Sequence, residues 1–299
     1  MVDLSIIIVS YNTAQITLDC LNSIVKSLDN RINYEIIIID NASSDNSIQN
    51  IKYQISNIKN TYQKSNISFK LIENKTNTGF ARANNQGVKV AQGKYILFIN
   101  SDVVVEKIDF QELVAYFEKN AKVGALTVMV NLQKNGIDPA SHRGFPTLWR
   151  SFTYFTGLER FLAKFSFFKK VFGGYHLLHN NLNEIHEIDS PSGAFFMIRK
   201  DIFNQVQGFD EDFFMYGEDL DLAYRIKELG YKIIYYPKFI VTHLKYQSGL
   251  KNESKVAREI KKHFYEAMKI FYDKHYAKKN NFLINSLVHG LINLKEIIA

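Results

Sequence analysis

The chain opens on an unbroken apolar run, "LSIIIVS" from Leu4 to Ser10, and the pattern returns in "YEIIIID" from Tyr34 to Asp40. Neither run alternates apolar with polar positions, so both read as strands covered on both faces, as in a parallel sheet. Between them Leu18, Leu21, Val25 and Leu28 recur at helical spacing. The alternation continues with a helix from about Ser44, the strand "SFKLIEN" and a helix in "GFARANNQGVKVAQG" that closes on Gly93. The strand "KYILFINSD", a helix near Ile108 to Asn120 and the strand "VGALTVMV" follow. This order predicts an α/β fold, a Rossmann-like, mixed but mostly parallel sheet flanked by helices. The pattern loosens between Asn131 and Ser190, which holds "SHRGFPTLWRSFTYF" and "RFLAKFSFFKKVFGGY". Order returns with "SGAFFMIRKDIF", "GFDEDFFMYGEDLDLAYRIKELGYKIIYYP" and "FIVTHL", and from about Glu253 onward the chain reads as helical.

Strand ends are where open α/β sheets hold ligands. Asp40 and Asn41 sit at one such end, and Ser43, Ser44 and Asp45 after them are good N-caps for the next helix. Asp40 is therefore either a cap or a ligand contact. Asp102, in "FINSD", is a second carboxylate at the same edge. Hard divalent cations that bind diphosphates need only one or two carboxylates and keep positions open for phosphate oxygens. Arg82, early in a helix, could face a phosphate, and helix N-termini themselves favour anions. The first strand exits into "SYNT" without the glycines a dinucleotide pyrophosphate requires, and no Walker sequence is present. NAD, FAD and P-loop chemistry are thereby disfavoured.

At 299 residues the chain suits one large domain or two small ones. With 46% hydrophobic residues, 22% charged and 4 prolines, the composition argues against long disordered tracts. The formal charge of +7 points to an anionic partner. Lys and Arg are spread along the chain rather than clustered with aromatics, which speaks against nucleic acid. The single cysteine, Cys20, excludes an internal disulfide and reads as a buried small hydrophobe in a reducing compartment. With neither a signal peptide nor an apolar run long enough to span a bilayer, the expected location is cytoplasmic, with attachment to a membrane surface left open. The stretch Phe161 to Phe172 is either a core helix with a basic solvated side or a surface resting on anionic lipid. The tail "FLINSLVHGLINLKEIIA" leaves the same choice, with a homodimer contact as a third.

Five motifs, "SIIIVSYN", "IIIIDNASSDNS", "NTGFARANNQG", "YILFINSD" and "GEDLDLAYRIKELGY", occur in order and together resemble family 2 glycosyltransferases of the GT-A fold, particularly the rhamnosyltransferase-like branch. The resemblance covers roughly residues 4 to 250. It implies a GT-A catalytic domain over 1–250 and leaves 251–299 as a helical C-terminal extension. It places Ser10, Tyr11 and Asn12 along the nucleotide pocket, Asp40 with Asn41 at the base, and Asp45 at the nucleoside. Arg82, Asn84 and Asn85 match positions near the donor's phosphates and sugar. The family's Asp-x-Asp metal motif stands here as Asn100-Ser101-Asp102. That leaves Asp102 as the Mg²⁺ or Mn²⁺ ligand, with Ser101 beside the nucleotide sugar. His243, in "VTHLKYQSG", matches a histidine that completes the metal or diphosphate site. Asp219 matches the catalytic base, with Glu218 as its alternate.

The reaction implied is inverting transfer of a hexose to a hydroxyl of a cell-surface glycan or lipid-linked precursor. L-Rhamnose from dTDP-rhamnose is the first choice and UDP-hexose or UDP-N-acetylhexosamine the next. A protein that binds the nucleotide sugar without turning it over is the competing class. A hydroxyl is a poor nucleophile until a base takes its proton, and such help is worth roughly 10²–10⁴-fold. Each residue also has a plainer reading. Acids in a first helical turn, such as Glu218, Asp219 and Asp221, stabilise the helix dipole. Arg225 stands at four-residue spacing from Asp221 and suits an ion pair with it. Trp149 fits either a core or an acceptor groove.

Overall fold

The computed structural model describes residues 1–62, 64–134, 136–245 and 254–298. The helix onset expected at Glu253 and the Tyr246–Gly249 end of the histidine motif lie outside them. The described strands run β1 (Leu4–Ser10), β2 (Tyr34–Asp40), β3 (Ile67–Glu73), β4 (Tyr95–Asn100), β5 (Val103–Val105), β6 (Val123–Leu132), β7 (Gly136–Ile137), β8 (His186–Ile188), β9 (Phe195–Arg199) and β10 (Lys232–His243). The helices are α1 (Ala14–Ser27), α2 (Ser47–Tyr62), α3 (Phe80–Val90), α4 (Phe110–Lys119), α5 (Leu148–Phe155), α6 (Leu158–Leu162), α7 (Lys169–Phe172), α8 (Lys200–Gln205), α9 (Glu218–Glu228), α10 (Ser254–His275) and α11 (Phe282–Ile298).

The strands join one sheet in the order β3-β2-β1-β4-β9-β6-β10-β5, with β7 beside β6 and β8 beside β10. Neighbours among β3, β2, β1 and β4 are parallel, β9 runs against both β4 and β6, and β10 is parallel to β6. Every residue of β2 is buried, as its unbroken isoleucines require. Full burial of such a side chain contributes about 1.5–3 kcal/mol. Glu35, buried near the start of β2, accepts hydrogen bonds from Ser5 Oγ at 2.5 Å, Lys70 Nζ at 2.8 Å and Gly93 N at 3.1 Å.

Helix α3 lies close on the sheet because Gly87 lets it. A Cβ at Gly87 would stand 2.8 Å from Ile7 Cγ2 and 3.1 Å from Ile39 Cδ1. Helix α2 starts at Ser47 rather than near Ser44, since Asp45 Oδ1 accepts Ser47 N at 3.0 Å and holds the preceding residues in a turn. Cys20 is buried in α1, as expected. Ala267 and Phe271 of α10 pack against Leu220 of α9 and Phe213 just before it. Helix α11 folds back on α10 by Lys269–Glu296 at 3.0 Å and Tyr272 Oη to Asn285 Oδ1 at 2.7 Å, and Ile292 is its buried residue.

The Phe161 to Phe172 stretch is not a core helix. Phe161, Phe165, Phe167 and Val171 are exposed, and the segment breaks into the short helices α6 and α7 with a 3₁₀ turn between.

Candidate active site

Register alone aligns the first part of the site. Ser10 sits opposite Asp40, and Val9 opposite Asn100, so the carboxyl ends of β2, β1 and β4 share one edge. At the next position β4 passes to β9, where Asn100 N donates to Ala194 O at 3.4 Å. A Cβ at Gly193 would lie 3.7 Å from Asn100 Oδ1, and Gly193 N donates to Asp219 Oδ2 at 3.3 Å. The acid at the start of α9 is thereby brought to the edge that carries Asn100–Asp102. His243 arrives from the far end of β10, paired against Val103, with its Nε2 3.2 Å from Asp102 Oδ1.

Loops from β1 and β2 brace each other. Asn12, at φ +53°, accepts from Ser44 N at 2.7 Å and donates from its own N to Ser43 Oγ at 2.9 Å. Asp45 Oδ2 accepts Ala14 N at 3.4 Å. Asn41 is spent on the scaffold: it accepts from Asn74 Nδ2 and Thr78 N, and donates to Asn77 Oδ1 and Gly79 O. Gly79 needs its positive φ of +83°, because a Cβ there would meet Phe214 O at 2.6 Å. Asp40 is fully buried. Its Oδ2 accepts Ser43 N at 2.9 Å, while Oδ1 has no partner among the described residues. A buried carboxylate oxygen without a donor is costly, so a ligand N–H in that place would be well received. Ser10 is buried with Thr13 and Thr17, Ser101 is buried, and Tyr11 is exposed.

Helix α3 gives its polar side chains to the segment before α9. Arg82 Nε donates to Glu211 Oε2 at 2.7 Å, and Asn85 holds Phe209 O, Phe209 N and Glu211 Oε1. Asn84 is buried and donates to Phe80 O of its own helix. Through Asp210–Gly217 these contacts help fix where α9 begins.

Two groups invisible to motif reading complete the cleft. Arg143 Nη2 donates to Asp219 Oδ2 at 2.7 Å, both side chains being nearly out of water. Arg143 is held by paired backbone hydrogen bonds with Ser190. Asp138 Oδ2 stands 3.1 Å from His243 Nδ1, and Lys245 Nζ lies 3.1 Å from Asp138 Oδ1. Burial opposes charge on His243, but the hydrogen bonds to Asp102 and Asp138 outweigh it and hold the imidazole's pKa up at about 9. Burial also works against Asp138 as an anion, yet His243 and Lys245 bring its pKa down to about 2. Glu218 moves the other way: burial first, then the charge of Asp219, push its carboxyl up, and its Oε2 has no partner among the described residues. Farther along α9, Asp221 pairs with Arg225 at 2.5 Å, as the spacing predicted, and also with His275 at 2.8 Å.

A carboxylate on Nδ1 is the arrangement that orients a ligating histidine, and Nε2, facing Asp102, would give up its proton on taking an ion. The donor set of Asp102 and His243 suits a divalent ion that also takes diphosphate oxygens. Among the described residues no three His, Cys, Asp or Glu side chains gather as a closed metal cage. A cavity of about 360 Å³ lies outside the cleft, lined by Tyr154, Gly157, Glu159, Arg160, His176 and Leu178. Its Tyr154 ring packs 5.0 Å from that of Tyr175, which lies within electrostatic reach of Arg143.

Residues 5–206 match the family described as Glycosyl transferase family 2, and residues 173–247 match one described as the N-terminal domain of galactosyltransferase. The chain is 25% identical to rhamnosyltransferase WbbL of Escherichia coli strain K12 over 71% of this chain and 77% of that one. It is 24% identical to N-acetylglucosaminyl-diphospho-decaprenol L-rhamnosyltransferase of Mycobacterium tuberculosis over 71% and 67%. It is 26% identical to poly-beta-1,6-N-acetyl-D-glucosamine synthase of Staphylococcus epidermidis over 79% of this chain and only 48% of that protein. Among solved structures, GalNAc-T7 with UDP, GalNAc and Mn²⁺ superposes at TM-score 0.60 with 15% identity, covering 90% of this chain and 47% of that one. S. aureus TarS 1-349 with UDP-GlcNAc superposes at 0.57 with 16% identity over 90% and 65%. The sheet order, the fold shared with solved structures and a family match over two-thirds of the sequence converge: the chain has the GT-A fold and belongs to the family 2 glycosyltransferases.

Proposed function

We propose that this glycosyltransferase moves a hexose from a nucleoside diphosphate to a hydroxyl of a cell-surface glycan or its lipid-linked precursor, with inversion. Residues 1–250 form the catalytic domain in this reading, and 251–299 a helical extension. The observation that carries it is the meeting of Asp40, Asp102 and Asp219, from β2, the β4–β5 turn and α9, at one sheet edge. L-Rhamnose from dTDP-rhamnose is the first choice, supported by the two rhamnosyltransferases among the relatives; UDP-N-acetylhexosamine is the next. The unpartnered Asp40 Oδ1 suits the imide N–H that uracil and thymine share.

Asp102 and His243 would hold Mg²⁺ or Mn²⁺, with Asp138 orienting the imidazole. When bound, the ion would offset charge on the departing diphosphate. Asp219 receives the acceptor's proton, and Arg143, 2.7 Å from Oδ2, holds its carboxylate in place. Ser10, Tyr11, Asn12, Asn41, Asp45 and Ser101 frame the nucleotide, and Arg82, Asn84 and Asn85 shape the donor side by positioning the approach to α9.

The acceptor side is the α5–α7 face. It exposes Trp149, Phe152, Phe161, Phe165 and Phe167. Lys295 Nζ lies 5.6 Å from the Phe155 ring, so α11 stands beside it. Helix α11 exposes Phe282, Leu283, Leu287, Leu291, Leu294 and Ile297, and among the described residues no helix is long and apolar enough to cross a membrane. With Lys164, Lys169, Lys170, Lys278 and Lys279 nearby in sequence, this face suits the anionic inner surface of a membrane carrying a lipid-linked acceptor. Hydrolysis and thermal-shift assays across a panel of nucleotide sugars, with and without Mn²⁺ or Mg²⁺, test the reading. Turnover of one donor is expected. Asn100 in the metal motif favours a non-catalytic binder as the second reading, and stabilisation by a donor without turnover would select it.

A further inference from the structure

Outside the cleft, His142 and His186 meet ring to ring. Their Nε2 atoms are 2.5 Å apart and their planes stand at 82°. On the opposite side of each ring, Nδ1 faces a backbone carbonyl: His176 O at 3.3 Å for His142, and Glu184 O at 2.8 Å for His186. A carbonyl only accepts, so each Nδ1 carries the hydrogen and each Nε2 presents a lone pair to the other. Three contacts call for three ring hydrogens, and two neutral imidazoles have two. Something positive belongs between the nitrogens.

Two occupants compete for that place, a third proton and a metal ion. Burial, and then the charge of its neighbour His186, push His142 down to about 4, and burial lowers His186 as well. The charged groups felt by the pair are His179, itself pushed down, and Glu184. Neutral imidazoles with Nδ1 tied to a carbonyl are the ligand form for borderline divalent metals. A further donor is at hand. Tyr235 lies directly across the ladder from His186, with its ring 4.9 Å from His142 and 5.1 Å from His186. Its hydroxyl is buried and has no partner among the described residues.

We propose that His142 and His186 form a second metal site, distinct from Asp102–His243, that takes a borderline ion such as Zn²⁺ through the two Nε2 atoms, with the Tyr235 hydroxyl or water completing its shell. With metal–nitrogen bonds of about 2.0–2.1 Å at a tetrahedral angle the nitrogens stand about 3.3 Å apart, so the two rings must part by about an ångström and tilt off their common line to admit the ion. The ion clips β8 to the loop that ends in Arg143, one residue from His142. It is thus a staple for the arm that reaches Asp219, and it does not depend on which sugar is moved.

The test uses the full chain, stripped with chelator, loaded with ZnCl₂ and desalted, alongside D102N, H142Q and H186Q. Wild type and D102N are expected to retain about one zinc per chain, and zinc to raise their melting temperature. H142Q and H186Q are expected to bind at least tenfold more weakly. Because either histidine variant could fail to fold, X-ray absorption on zinc-loaded wild type supplies a second reading: a shell of two imidazole nitrogens is expected at about 2.0 Å. No retained zinc, equal retention by folded H142Q or H186Q, loss in D102N alone, or a shell without imidazole would each overturn the site. Failure of the donor panel while zinc is retained by the pair would overturn the sugar-transfer reading and leave this one standing.

Discussion

The guanidinium of Arg143 and the carboxylate of Asp219 meet at 2.7 Å, buried together, although they lie 76 positions apart in the chain. The arginine fixes the direction of the carboxylate, and removing either partner strands the other charge out of water. R143Q should destabilise the fold by about 3–5 kcal/mol, the usual cost of breaking a buried pair from one side. Chemical denaturation reads this, and the conservative R143K should recover part of the loss.

Asp219→Asn keeps shape and burial but cannot take a proton. Transfer should fall by roughly 10²–10⁴-fold, while donor affinity stays within a few-fold of wild type. A variant that transfers normally would remove Asp219 from the role of base.

Glu218 has its pKa raised in the folded state, by burial and by Asp219, above the unfolded value of about 4.3. The folded chain therefore binds this proton more tightly. The resulting stability is complete below about pH 4.3 and is lost as pH climbs toward the folded value. E218Q removes that loss, so its melting temperature relative to wild type should rise between pH 5 and pH 9. A flat difference across this range would mean that Glu218 is not held protonated.

Asp102→Asn takes the carboxylate from the proposed ion site. Mn²⁺ should strengthen nucleoside-diphosphate binding to wild type and have little effect on D102N, measured by calorimetry at fixed salt.

Helix α11 should carry the chain to lipid. Vesicles containing phosphatidylserine should sediment the protein, less so as salt rises, because the lysines contribute about 1 kcal/mol each near an anionic surface. L287D with L294D should abolish binding without unfolding α10. A wild-type chain that ignores vesicles and forms dimers would assign the same face to a second copy.

Much of the frame was readable from unbroken apolar runs, because a strand buried on both faces has no freedom to be polar. The strand-end acids were readable for the same reason: a charge directly after four buried isoleucines has few places to go. Arg143, Asp138 and the two histidines gave no such signal. They lie in or beside the stretch from Asn131 to Ser190, where short helices and a 3₁₀ turn break every period. Their partners, Asp219, His243 and Tyr235, arrive from distant strands and α9. The phenylalanines from Phe161 to Phe172 stayed ambiguous in the sequence for a related reason, since composition alone does not tell a face turned to a core from one turned outward.

Asp221, two residues after the proposed base, is grasped by His275 of α10, and α10 also walls the start of α9 through Phe271 and Ala267. The C-terminal helices therefore cannot be treated as a removable appendage. A chain cut ahead of Ser254 would present Glu218, Asp219 and Asp221 on a helix stripped of one flank, and any fusion built on this fold should carry residues 254–275 with it.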